Sequence, residues 1–135
     1  MTINYTVYYG IEHLHLLDTC TLIAFDTETL QLNPEKGKMR LLQLGNDTKK
    51  TIVVLDCFDL TPEDWDVVTN FFSTPRFWIA HNAVFDVAWL QEYGIHPNIE
   101  GCRNGLRCTL IANRLLTNGI PGLKHGLDSV VERHL

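Results

Sequence analysis

Asp26 and Glu28 stand one residue apart at the end of an apolar run, Leu22-Ile23-Ala24-Phe25. Such a run has the length and bulk of a buried strand, whose interior has no use for charge. Side chains at i and i+2 leave a strand on the same side, so the two carboxylates aim at one point in space. Neighbouring carboxylates raise each other's pKa unless a cation sits between them. A divalent metal is the simplest cation that fits. A third acid, Asp86, closes the segment His81-Asn82-Ala83-Val84-Phe85-Asp86. The blander reading of Asp86, less favoured, is a cap on a helix that begins near Ala83.

The chain that must position these acids alternates strand and helix signals. Tyr5 to Tyr9 reads as a first strand, Ile11 to Thr19 as a helix or turn carrying His13 and His15, and Leu22 to Phe25 as the carboxylate strand. Gln31 to Lys38, with Asn33-Pro34 and Gly37, is a loop. Arg40 to Leu44 and Thr51 to Leu55 form a hairpin about the turn Gly45 to Lys50. Thr61-Pro62-Glu63-Asp64 starts a helix, with Thr61 as N-cap, that runs to about Phe72 and puts Trp65, Val68 and Phe72 on one face. Phe77 to Ala80 is a short strand, and helical spacing follows from about Ala83 to Tyr93, ended by Gly94. Further helices fit Leu106 to Leu116, closed by Asn118-Gly119, and Leu123 to His134. Strands first, then a strand–helix unit and helices, predict an α/β layer with a mixed sheet of about five strands in a single domain, residues 1–135.

Phe25-Asp26-Thr27-Glu28, the His81 to Asp86 segment, Cys108-Thr109-Leu110-Ile111-Ala112 and Leu123-Lys124-His125-Gly126-Leu127, in that order, resemble the DEDD 3′→5′ exonucleases. The branches most like it are RNase D and the proofreading domain of DNA polymerase I. The resemblance implies an RNase H-like fold holding two divalent metals on four acids. Asp26 is then expected to bridge both metals, Glu28 to bind the ion that positions the attacking water, and Asp86 to reach the second site directly or through water. Hard oxygen ligands of this kind suit magnesium or manganese far better than zinc. The implied reaction is two-metal hydrolysis of the terminal phosphodiester, releasing nucleoside 5′-monophosphates from single-stranded DNA or RNA 3′ ends. The same resemblance assigns Thr27, Leu30, His81, Asn82 and Phe85 to the terminal nucleotide. Asn82 shapes its pocket, Leu30 wedges against the terminal base, and His81 serves at least as much as a core histidine beside the metals.

One departure bears on the chemistry. The family's third motif places a tyrosine or histidine four positions before a fourth aspartate, and no such pair follows Asp86 in this sequence. Tyr93 is followed at that spacing by Pro97, and the late acids are Glu100, Asp128 and Glu132. The resemblance therefore stops short of the third motif. Three outcomes fit: a weakened exonuclease, an exonuclease completed by a second copy or by a partner carrying the missing segment, or a noncatalytic binding or assembly module. A fold can outlive its chemistry.

Composition bounds these readings. With 135 residues, 45% hydrophobic and 20% charged, the chain can bury a real core. A formal charge of −5 excludes a protein whose whole surface grips nucleic acid, but not a basic lip around an acidic metal site. Arg103, Arg107 and Arg114 are the one basic cluster, as suited to solvation as to phosphate binding, whereas Lys124 and His125 suit a solvated helix face more than contact with substrate phosphates. Trp65, Trp78 and Trp89 suit core packing rather than base stacking. Cys20, Cys57, Cys102 and Cys108 lack CxxC spacing and read as reduced thiols. No stretch approaches the ~20 apolar residues of a membrane span, and no signal peptide is evident, so a cytoplasmic protein without membrane partners is expected.

Overall fold

The structure, a computed structural model, describes residues 4–118 and 120–134. Its centre is a six-stranded mixed sheet in the order β1-β4-β3-β2-β5-β6. The strands are β1 (Thr6–Tyr9), β2 (Leu22–Thr29), β3 (Met39–Asn46), β4 (Thr51–Asp56), β5 (Phe77–Ala80) and β6 (Leu106–Cys108). β3 runs antiparallel to both β2 and β4, whereas β1 is parallel to β4, β5 to β2, and β6 to β5. The helices are α1 (Pro62–Ser73), α2 (Ala83–Glu92), α3 (Thr109–Leu116) and α4 (Leu127–His134), and a 3₁₀ helix spans Ile11–Leu17.

Alternation along β2 sets the layers. Ile23, Phe25 and Thr27 are buried, while Leu22, Ala24, Asp26 and Glu28 lie on the opposite face and are half-buried or exposed. Phe25 meets Phe72 and Trp78 edge-on, and Phe72 stacks on Trp78 at 4.6 Å. The covered face is completed by Val68 and Phe71 of α1 and by Ala83, Trp89 and Leu90 of α2. Trp65 stacks on Tyr93 at 4.7 Å, so all three tryptophans serve packing as expected. The other face is open. A cavity of about 520 Å³ lies against it, lined by Leu22, Ala24, Gly45, Ile52, Ile79 and Leu127 among others.

Thr61 caps α1 as its sequence requires, accepting from the Asp64 N–H while the Asp64 carboxylate accepts from the Thr61 N–H. Other boundaries depart from expectation. β2 continues through the carboxylates to Thr29 because β3 pairs with it residue by residue, Asp26 opposite Gln43 and Glu28 opposite Leu41. Residues 106–108, expected as the first turn of a helix, instead form a sixth strand. The Trp78 N–H donates to the Gly105 carbonyl, and β5 continues the pairing through Leu106 and Cys108. α4 starts at Leu127 rather than Leu123, since the carbonyls of Lys124 and His125 are already taken by Arg133 and His81. Gly119 of the expected helix stop falls outside the described residues. The four cysteines are free thiols, Cys20 and Cys57 buried. Among the described residues no helix is long and apolar enough to cross a membrane.

Arg76 pins the entry to β2. It is 3% exposed, and its Nη1 donates to the carbonyls of Leu17, Asp18 and Cys20 while the guanidinium lies 4.3 Å over the Phe71 ring. Burial lowers its pKa against the opposing charge of Asp18, and the carbonyls and the ring hold the guanidinium directly. Arg76→Met keeps the aliphatic stem but orphans those buried carbonyls. It is expected to cost about 3 kcal/mol in urea unfolding. A loss under about 0.5 kcal/mol contradicts this role.

Candidate active site

Asp86 is the anchor. It sits in the first turn of α2, 2% exposed, and its Oδ1 accepts from both the Thr27 N–H at 2.9 Å and the Thr27 hydroxyl at 2.7 Å. Two residues 59 apart in sequence are thereby stapled, and the carboxyl end of β2 is brought under the start of α2. Charge-assisted bonds of this kind are about twice as strong as neutral ones. They lower the Asp86 pKa, yet burial outweighs them and the net shift is upward.

Asp26 lies on the open face, one side chain over from Thr27. Burial first, then the charge of Asp86, then that of Glu28, push its pKa up to about 6, with His81 opposing. The geometry therefore gathers three carboxylates closely enough to repel one another. Each of the two inner acids is held by one oxygen: Asp86 through Oδ1, and Asp26 through Oδ2, which accepts from Gln43 Nε2 at 3.3 Å. Glu28 is exposed. Among the described residues no three His, Cys, Asp or Glu side chains form a ready-made chelating cage. The donors suit a hard divalent cation in their chemistry, all oxygen and all anionic, but the ligand set is open rather than closed.

His81 is fixed at both nitrogens. Nε2 lies 3.0 Å from the His125 carbonyl, which can only accept, so Nε2 carries the proton, and Nδ1 lies 2.9 Å from the Thr109 hydroxyl. His125 in turn meets the Asn113 amide, and Arg133 donates to Asn113 Oδ1. The ring is thus a structural node between β5, α3 and the segment before α4, as well as a neighbour of Asp26. Asn82 adopts a left-handed conformation at φ 59° and caps nothing with its side chain. A non-glycine residue held there costs roughly 1 kcal/mol or more, and such strain collects at functional sites. Phe85 packs edge-on to Trp89 and is half-buried, so core packing claims part of it. Leu30 is 61% exposed on the loop beyond β2. Thr27, expected near the terminal nucleotide, is buried and engaged with Asp86.

Three participants escaped the sequence reading: Gln43, Thr109 as a partner of His81, and Asn113. Gln43 had a signal, being the one polar side chain within the run Leu41-Leu42-Gln43-Leu44. The other two depend on contacts between distant segments. Of the basic candidates, Arg107 lies 5.0 Å over the Phe77 ring, and Arg103 and Arg114 are exposed.

A protein family described as 3′-5′ exonuclease matches residues 12–135. The chain belongs to this 3′-5′ exonuclease family. Solved structures agree in fold. NrnC of Brucella melitensis with bound Mg²⁺ superposes with a TM-score of 0.69 at 23% identity, covering 99% of this chain and 62% of that one. The catalytic core of RRP6 from Trypanosoma brucei gives 0.75 at 21% identity, covering 99% and 36%. Escherichia coli RNase D, an exoribonuclease involved in structured RNA processing, gives 0.69 at 22% identity, covering 96% and 33%. NrnC has also been solved bound to pGG, at a TM-score of 0.71 and 20% identity, covering 98% and 62%. These are DEDD exonucleases, and the RNase H-like α/β fold expected from the motifs is the fold observed. The chain spans less than two thirds of the length of each of these proteins. No curated protein matches by sequence.

Two outcomes follow from the carboxylate cluster. The folded-state pKa of Asp26, about 6, lies above the unfolded value of about 3.9, so the native protein binds more protons between those values. Metal-free protein therefore loses stability as pH rises through that window, and Asp26→Asn makes the loss smaller. Thermal unfolding from pH 4 to 7 in a chelating buffer checks the slope; a melting temperature that rises through the window for wild type contradicts it. Thr27→Val, nearly the same shape, deletes one of the two bonds to Asp86 and is expected to cost about 1–2 kcal/mol in urea unfolding.

Proposed function

We propose that this domain is a metal-dependent 3′→5′ exonuclease of the DEDD type, hydrolysing the terminal phosphodiester of single-stranded RNA or DNA and releasing nucleoside 5′-monophosphates. The observation that carries the reading is the placement of Asp26 and Glu28 on one face at the end of β2 with Asp86 stapled to Thr27 between them, in a family whose described activity is 3′-5′ exonuclease. Asp26 and Asp86 each keep one oxygen outside the hydrogen bonds that hold them, which leaves donors for Mg²⁺ or Mn²⁺. Asp26, Glu28 and Asp86 are the residues that would hold the ions. Bound there, the ions supply an acidified water and neutralise charge building up on the phosphate. The chain's own residues hold the end of the strand: Asn82, Leu30 and Phe85 meet the terminal nucleotide, and His81 keeps the approach to Asp26 in shape. NrnC with pGG supports oligonucleotide ends as the substrate class.

The ligand set reads as completed by further polypeptide. The apolar open face against which the cavity lies, and the exposed Ile111, Leu115 and Leu116 of α3, offer the surface on which a segment bearing a fourth carboxylate would pack. A second copy of the chain or a partner could bring it. The open ligand set also favours a second reading, a noncatalytic module that binds nucleic acid or assembles with no metal requirement.

Incubation with 5′-labelled single-stranded RNA and DNA, with and without Mn²⁺, separates the two. The exonuclease reading expects a ladder shortening from the 3′ end that requires metal, is blocked by a 3′-phosphate and falls at least about a hundredfold in Asp26→Ala. Metal-independent binding that survives Asp26→Ala, without shortening, sinks it in favour of the module.

A further inference from the structure

Gln43 is the one side chain among the described residues that hydrogen-bonds Asp26, and its position is fixed by the sheet itself. In the β2/β3 register its Cα is paired directly with that of Asp26. Directly paired residues share a face with side chains within reach of one another. Its neighbours on that face of β3 carry no donor: Leu41 is opposite Glu28 and Gly45 opposite Ala24. Across the other side of β3, Gln43 is paired with Val54. A single amide donor is thus set among the apolar Leu41, Gly45 and Val54, with Nε2 reaching Asp26 Oδ2 at 3.3 Å.

We propose that Gln43 is a positioning residue for the metal-dependent reaction, fixing the plane of the Asp26 carboxylate by donating to Oδ2 so that its remaining lone pairs face the cation. The inference rests on the exonuclease reading above. Its logic comes from the matching treatment of Asp86, where Thr27 donates twice to Oδ1 alone. Both inner acids are clamped by one oxygen, by neutral donors that compete with no cation. An arginine or lysine in the same place would hold Asp26 more strongly but would supply the positive charge that the metal otherwise brings. A neutral amide orients the carboxylate and leaves its charge unspent. Partners of this outer kind commonly change metal affinity or turnover by about 10–100-fold when removed.

The test uses Gln43→Leu and Gln43→Met, which keep apolar bulk and remove the donor, with Val54→Ala as a control on the same face. Mn²⁺ binding is followed by calorimetry, and turnover on a labelled oligonucleotide is followed separately. The expected result is an Mn²⁺ Kd raised about tenfold or more in both Gln43 variants, a lower kcat at unchanged KM, an unaltered melting temperature without metal, and an unaltered Kd in Val54→Ala. A Kd within about twofold of wild type in the Gln43 variants overturns the proposal while leaving the exonuclease reading standing. Absence of any Mn²⁺ heat from the wild type overturns the exonuclease reading as well. Should the variants fail to fold, wild-type protein still decides. The Gln43 side-chain amide resonance is expected to shift when Mg²⁺ is titrated into the wild-type protein, and an amide signal unmoved at saturating Mg²⁺ overturns the proposal.

Discussion

Two hydrogen bonds from Thr27 to one oxygen of Asp86 fix the relation on which this molecule depends. They join the start of α2 to the carboxyl end of β2 and do so in a buried place, where leaving the carboxylate unpaired would be far more costly than in water. Once that staple is closed, Asp26 and Glu28 have no freedom to withdraw. The pairing of β2 with β3 holds them on the open face of the sheet, and Asp86 stands beside them from the other side. The fold thus holds like charges together at one end of its central strands, where burial first and then their mutual repulsion raise the pKa values of Asp26 and Asp86.

The rest of the architecture resists that repulsion. Phe25, Phe72 and Trp78 lock β2, α1 and β5 together, Arg76 closes the corner where the chain enters β2, and Trp89 and Leu90 seat α2 on the same layer. Asn82 accepts a left-handed backbone at the turn from β5 into α2, which delivers Asp86 to Thr27 within a single turn of helix. The opposite layer is thin. α4 buries no residue and is held through Arg133, and Leu127 reaches the cavity on the open face. The sheet therefore divides the molecule: a packed face fixes the acids, and an uncovered face leaves a cavity of about 520 Å³ beside Asp26.

Much of this was legible in the residues. The apolar run ending in Asp26-Thr27-Glu28, the His81 to Asp86 junction and the Thr61-Pro62 helix start are local patterns, and local patterns carry their own geometry. What the sequence concealed is decided between segments. Residues 106–108 have helical company, yet become a strand because the edge of β5 offers unpaired partners. Leu123 to Gly126 look like a helix start, but His81 and Arg133 claim two of their carbonyls. The family resemblance places Thr27 at the terminal nucleotide, and its side chain faces the core, as strand alternation demands. Gln43 was visible as a polar interruption, though only the register with β2 gives that interruption a partner.

The most direct measurement is the ionisation of Asp26 itself, by carboxyl carbon NMR in metal-free protein and again with saturating Mg²⁺. Burial and clustering together predict that Asp26 titrates near 6 without metal, moves part of the way down in Asp86→Asn, and moves lower still when Mg²⁺ is added. An Asp26 that titrates near 4 in the free protein, and stays there when Asp86 is neutralised or Mg²⁺ is supplied, would contradict the idea that these acids are held together for a cation.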